Sequence, residues 1–218
     1  MTISLLFLWN IAGDIAFAVG GALAAQKLKL GWFATFLSAM STTFFGGAFL
    51  RDLLTLHTPP GILSSPIEIA WVAALSLGLS LILTYTKRKL PSKLGKAFKH
   101  SILVCDSLGV LAFGAIGYMK GRGMLVGVGV CLLCGWFTAC GGGIIAAFIR
   151  SAAKRGTLTE KAKCLASTLF NNRHYFVFGG IVTVTYAVTI AAGASETIAL
   201  AILTPLAVFL GFITDRKM

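Results

Sequence analysis

Residues 10–21 read Asn10-Ile11-Ala12-Gly13-Asp14-Ile15-Ala16-Phe17-Ala18-Val19-Gly20-Gly21. The chain offers the same frame again 96 residues later, as Asp106-Ser107-Leu108-Gly109-Val110-Leu111-Ala112-Phe113-Gly114-Ala115-Ile116-Gly117. The shared pattern is Asn/Asp-x-x-Gly-x-x-x-Phe-x-x-x-Gly. A cluster of small residues follows each copy, Gly46-Gly47-Ala48 in the first and Gly141-Gly142-Gly143 in the second, at an offset of 95. Two motifs repeated at nearly one offset in a hydrophobic chain imply a duplicated half.

Composition sets the class. Of the 218 residues, 57% are hydrophobic and only 12% are charged, where a soluble domain carries about 25% charged residues. Mean hydropathy is +0.88. The apolar residues fall in long continuous runs, which implies a membrane protein whose partner is the lipid bilayer. Net charge is +12. The basic residues sit in short loops between apolar runs, which excludes a nucleic-acid-binding surface and fits loop charge beside a membrane. Of the five cysteines, Cys131-x-x-Cys134 has no second ligand pair, and all five read as small apolar side chains. Neither a metal site nor a cofactor is expected. The first apolar segment lacks a basic leader and a clear cleavage site, and reads as a mature helix.

Seven apolar stretches follow in order, roughly residues 3–25, 31–54, 66–86, 101–119, 123–149, 174–193 and 197–214. Each is near the ~20 residues that cross a bilayer as a helix. No alternating ten-residue pattern favours strands. The expected fold is therefore an all-α integral membrane protein in a single membrane domain, 1–218. It divides into a first three-helix repeat (1–90), a second (99–195) and a seventh helix with its tail (196–218). Loop charge sets the topology. Sixteen of the nineteen basic residues follow spans 1, 3, 5 and 7, while Lys120 and Arg122 stand on the other side and Arg51 lies near the end of span 2. The positive-inside rule puts the N-terminus outside and the C-terminus in the cytoplasm. The two copies of the motif lie three spans apart, in spans 1 and 4, so the repeats are inverted, as in many membrane permeation proteins.

The glycine clusters admit two readings. Each helical glycine costs about 0.8–1 kcal/mol relative to alanine, so a cluster can kink a helix beside a water-filled path. It can equally permit close helix packing. Their recurrence at equivalent places favours the path. Few ionisable residues lie near the spans: Asp14, Arg51, Asp52, Glu68 and Asp106. Intramembrane charge is costly and is a functional candidate by default. Arg51-Asp52 follows the first cluster by one short turn, where it can meet a permeant species, latch the helix or snorkel to the surface. Asp14 lies roughly 16 Å into span 1 at 1.5 Å per residue. Asp106 matches Asn10 and stands near the start of span 4.

Gly13, Phe17, Ala18 and Gly21 with Gly46-Gly47-Ala48-Phe49-Leu50-Arg51-Asp52, and Asp106, Gly109, Phe113 and Gly117 with Gly141-Gly142-Gly143, resemble the trimeric intracellular cation (TRIC) channels and their bacterial relatives. The resemblance covers essentially the whole chain. It implies a homotrimer in which each protomer holds its own pore for monovalent cations, K+ above Na+. It also implies that the two three-helix bundles surround the pore, with the glycine clusters kinking helices 2 and 5. The compact size is similar to that of prokaryotic members of a plasma membrane. Two departures stand out. The first cluster ends in Ala48, and the second is followed by Ile144-Ile145-Ala146-Ala147 where many bacterial relatives repeat Arg-Asp.

A cation channel is therefore the leading expectation. Some bacterial relatives resemble glycine uptake proteins, so a secondary transporter for a small amino acid is the alternative. The last span has no lysine for retinal, and no His-Glu-x-x-His or embedded Ser–His pair marks an enzyme.

Overall fold

Long apolar runs fold as helices because lipid offers the backbone no hydrogen-bond partners. The structure, a computed structural model, describes residues 5–27, 31–44, 66–86, 92–124, 127–153, 157–171 and 173–216. Among these residues there are eight helices: α1 (Leu5–Lys27), α2 (Trp32–Phe44), α3 (Pro66–Thr86), α4 (Ser92–Gly123), α5 (Val128–Ala153), α6 (Leu158–Asn171), α7 (Arg173–Ala191) and α8 (Glu196–Arg216). Within α3, α4, α5 and α8, the segments Pro66–Tyr85, Leu103–Gly123, Val128–Ile149 and Glu196–Ile213 are long and apolar enough to cross a membrane. Leu8–Leu23 and Tyr175–Ala191 are shorter apolar helices.

Two differences from the sequence reading have clear causes. α4 starts at Ser92, well before the expected 101, and runs for 32 residues. At 1.5 Å per residue that is about 48 Å, longer than a ~30 Å hydrocarbon core. Its first turns carry Lys93, Lys96 and Lys99, and helix continues there because lysine is a good helix former that needs no burial. The second difference is α6, in a stretch read as a loop. It is too polar on one face to register as a span. Its start is nonetheless written in the sequence as a capping box. The Thr157 backbone N–H donates to Glu160 Oε2 at 2.9 Å, and the Glu160 N–H donates to Thr157 Oγ1 at 3.4 Å.

The helices pack as two groups of three. α1, α2 and α3 touch one another, as do α4, α5 and α7. Each group has its own core. Ala18, Ala22 and Ala39 pack with Leu75, Leu79 and Leu83 in the first. Val110, Leu111, Ala139, Phe178, Val182 and Tyr186 anchor the second, which α8 completes with Ala199, Leu200, Leu203 and Ala207. The groups meet mainly along α1 and α4, with further contacts of α5 to α1 and α2. The outer faces are apolar and uncovered: Ile67, Ile82, Tyr85 and Phe209 are all more than half exposed. A soluble protein does not leave that much contiguous apolar surface in water.

α8 contains Pro205, which cannot donate to the carbonyl four residues back. Its neighbour Thr204 is a polar tie at that point. The Thr204 hydroxyl donates to the Leu200 carbonyl at 2.7 Å and accepts from the Trp9 indole N–H at 3.1 Å. This bond joins α1 to α8. Thr204→Val should leave the indole without its acceptor and cost about 0.6–1.7 kcal/mol, the span of measured interhelical bonds in membrane proteins. A thermal-unfolding midpoint lowered by a few degrees is the expected result; an unchanged midpoint would show that the bond contributes nothing.

Candidate functional site

The repeated motif is where the two groups join. Gly13 and Gly109 stand at equivalent places in the two copies and touch each other. A Cβ built on Gly13 would lie 2.6 Å from Gly109 Cα and 2.7 Å from the Phe113 ring, and one built on Gly109 would strike Gly13 Cα. The next pair of the motif also meets: the Phe17 and Phe113 rings are 5.0 Å apart at an interplanar angle of 32°. Glycine at each crossing point lets the α1 and α4 backbones approach closely enough for the rings to stack.

The third pair, Gly21 and Gly117, repeats one contact in each half. Gly21 faces the Thr42 hydroxyl and the Ser38 carbonyl, and Gly117 faces the Thr138 hydroxyl and the Cys134 carbonyl. Thr42 Oγ1 donates to the Ser38 carbonyl at 2.6 Å, and Thr138 Oγ1 donates to the Cys134 carbonyl at 2.6 Å. Ser38 Oγ also donates to the Gly21 carbonyl at 2.7 Å. Ser38 and Thr42 lie 96 residues before Cys134 and Thr138. The repeat is therefore carried by these partners as well as by the glycines.

The second glycine cluster lies in α5, and helix runs through Gly141-Gly142-Gly143 without interruption from Val128 to Ala153. These glycines accommodate aromatic rings. A Cβ on Gly142 would come within 2.7 Å of the Phe17 ring, and one on Gly143 within 3.2 Å of Tyr175 Cε1. Phe17 thus meets both its counterpart Phe113 and Gly142. Close packing is what Gly142 and Gly143 show here, in a helix that continues through the cluster.

Asp106 is half-buried on α4. Tyr175 on α7 donates its hydroxyl to Asp106 Oδ1 at 3.2 Å, and its ring packs against Phe178 with centroids 6.3 Å apart. Asp106, Tyr175 and Gly143 therefore form one group at the junction of α4, α5 and α7. Nothing in the motif pointed to Tyr175; at the edge of span 6 it is indistinguishable by composition from an interfacial tyrosine. Asp14 is half-buried on α1, next to the Gly13 crossing. Gly46, Gly47, Ala48, Arg51 and Asp52 lie outside the described residues. Trp136, in the middle of span 5, is 38% exposed. It still donates its indole N–H to the Phe176 carbonyl at 2.8 Å and lies over Gly180.

Comparison with known proteins identifies the fold. The chain matches a solved TRIC channel orthologue from Rhodobacter sphaeroides at a TM-score of 0.72 and 19% identity, covering 98% of this chain and 99% of that one. A prokaryotic TRIC channel in 0.5 M KCl gives the same TM-score at 20% identity, covering 97% of this chain and 96% of the other. The fold is that of the TRIC cation channels. In sequence, a family model described as "Glycine transporter" matches residues 7–86. A UPF0126 membrane protein of Vibrio cholerae is 31% identical over 142 residues, 65% of this chain and 56% of the relative. The UPF0126 inner membrane protein YadS of Escherichia coli is 30% identical over 141 residues, 65% of this chain and 64% of the relative. The match thus spans less than two thirds of either relative's length. The chain is an integral membrane protein, similar over part of its length to UPF0126 membrane proteins.

Proposed function

We propose that this chain is a potassium-permeable channel for monovalent cations, with a pore inside each protomer of a homotrimer. The observation that carries the reading is the junction of α1 and α4. Gly13 meets Gly109, Phe17 meets Phe113, and Gly21 and Gly117 make matching contacts with α2 and α5. Pairs that meet their own counterparts in this way are what a pseudo-two-fold axis in the membrane plane produces. The likeness to TRIC channels over nearly the whole chain supports the channel class. On this reading spans 1–3 and 4–6 are inverted repeats, α7 is span 6, α8 is span 7, and α6 lies outside the count. Asp14 and Asp106 place carboxyl groups beside the interface between the repeats, and a carboxyl group there, when ionised, favours cations over anions. The trimer rests on the resemblance to TRIC channels. The basic loops support an N-terminus outside and a cytoplasmic C-terminus in a prokaryotic plasma membrane. An impermeant thiol reagent applied to intact cells should not label a cysteine placed at position 90; labelling there would reverse the topology.

One observation favours a second reading. The family model matching residues 7–86 is described as a glycine transporter, and an inverted-repeat fold can serve a secondary transporter as well as a channel. Purified protein in planar bilayers separates the two. Unitary potassium currents are the expected result. Saturable glycine uptake without unitary currents would establish the transporter instead.

Tyr175→Phe tests the site within this function. Phenylalanine keeps the ring against Phe178 and Gly143 but removes the donor to Asp106. Potassium current should fall by a few fold, the order expected from about 0.6–1.7 kcal/mol of lost hydrogen bonding. Asp106→Asn should reduce it further. Equal currents in all three proteins would remove Asp106 from the permeation path.

A further inference from the structure

The amphipathic helix α6 plays no part in the site described above, yet its position in the chain is tightly constrained. α5 ends at Ala153, α6 occupies Leu158–Asn171, and α7 begins at Arg173. Both neighbours are apolar helices, and each touches α6. The Ser151 hydroxyl in the last turn of α5 donates to the Lys161 carbonyl and ties the two helices together. α6 is thus held at the level where α5 and α7 leave the membrane.

One side of α6 rests on the protein: Lys161, Cys164 and Leu165 are partly buried. A neighbouring stripe does not. Leu158, Ala162 and Ala166 repeat every four residues, so they share a face, and all three are exposed, Leu158 at 86%. The flank next to the stripe, away from the protein, carries Thr159, Glu160, Lys163 and Ser167, also exposed. Charge in this region is strongly one-sided. Residues 150–173 hold Arg150, Lys154, Arg155, Lys161, Lys163 and Arg173 against the single acid Glu160, whose carboxylate accepts the helix-capping bond. An apolar stripe beside basic residues, held at a membrane edge, is the pattern of a helix that lies in an anionic interface.

We infer that α6 is an interfacial helix that docks on the anionic bilayer surface through Leu158, Ala162 and Ala166, with Lys163 on its exposed flank as its contact to lipid headgroups. The inference rests on the reading of α5 and α7 as membrane helices, and it does not depend on ion conduction. Hydrogen exchange of the backbone amides of residues 159–166 tests it on the intact protein in phosphatidylcholine vesicles, with and without a minority of phosphatidylglycerol. Exchange should slow about tenfold when phosphatidylglycerol is present, the order expected for basic residues at an anionic surface. Lys163→Gln should abolish that increment. Leu158→Asp should also accelerate exchange in both lipids. Protection independent of phosphatidylglycerol and unchanged in Lys163→Gln would overturn the inference. So would full protection in detergent that disappears on dilution to monomer, because the stripe would then face a second copy. Currents measured on the same preparations report separately on the channel reading.

Discussion

Gly109→Leu is expected to yield no folded protein, while Gly20→Ala, on the helix that Gly109 faces, should be harmless. The contrast follows from what a side chain would meet. At Gly109 the first carbon alone strikes the Gly13 backbone, and at Gly13 it comes within 2.6 Å of Gly109 Cα. Neither obstacle is the end of a flexible side chain. Relief requires α1 and α4 to separate, and these helices form the main junction between the two halves. Gly20 is exposed with nothing within 4 Å of a built Cβ. Alanine there keeps the helical gain of about 0.8–1 kcal/mol. Gly13→Ala makes the same gain, but overpacking costs typically 1–3 kcal/mol, so its net effect should be a loss. At roughly 2–4 °C per kcal/mol for a chain of this size, its midpoint should fall by a few degrees. Thermal unfolding followed by size-exclusion in detergent reads all three variants. If Gly109→Leu elutes and melts like the wild type, the two helices do not cross at these glycines.

The same contacts show why much of the architecture was legible. Close approach of two backbones excludes every side chain larger than hydrogen, so the requirement is written as glycine at fixed spacing. Duplication wrote it twice, and the copies advertised each other. The matching Ser38/Thr42 and Cys134/Thr138 positions were less visible, because a serine and a cysteine share size and place but not name. Tyr175 was not legible at all. Its role depends on α7 lying beside α4, which no local pattern specifies. α6 was passed over for a different reason: a search for continuous apolar runs misses a helix that is apolar on one face only. Its capping box, Thr157-Leu158-Thr159-Glu160, was the available signal. The uninterrupted course of α5 through Gly141-Gly142-Gly143 is also instructive. Glycine lowers helix propensity, but packing decides in a folded protein, and the Phe17 and Tyr175 rings occupy the space that side chains would have filled.

Those rings lead to the second large effect. Gly142→Leu should reduce potassium current at least roughly tenfold, equivalent to about 1.4 kcal/mol on the barrier, while leaving membrane insertion intact. Leucine favours both helix and lipid, so neither the helix nor its insertion should suffer. The cost falls on Phe17. A Cβ at position 142 would approach its ring carbons to 2.7–2.9 Å, including Cγ, which is close to the backbone and cannot swing far. Phe17 is 4% exposed and also packs against Phe113. Displacing it must therefore move the α1–α4 junction relative to α5, and with it the interface where the path is proposed to run. Gly129→Ala is the control on the same helix, since nothing lies within 4 Å of a built Cβ there. Its current should match the wild type. Gly143→Ala should fall between, because Tyr175 at 3.2 Å can yield a few tenths of an ångström but would carry its hydrogen bond to Asp106 with it. Gly47→Ala, at the equivalent cluster, should be mild because Ala48 is already present beside it. Bilayer recording on correctly assembled protein decides the matter. If Gly142→Leu assembles normally and conducts like the wild type, Phe17 is ordinary packing and the cluster does not shape the ion path.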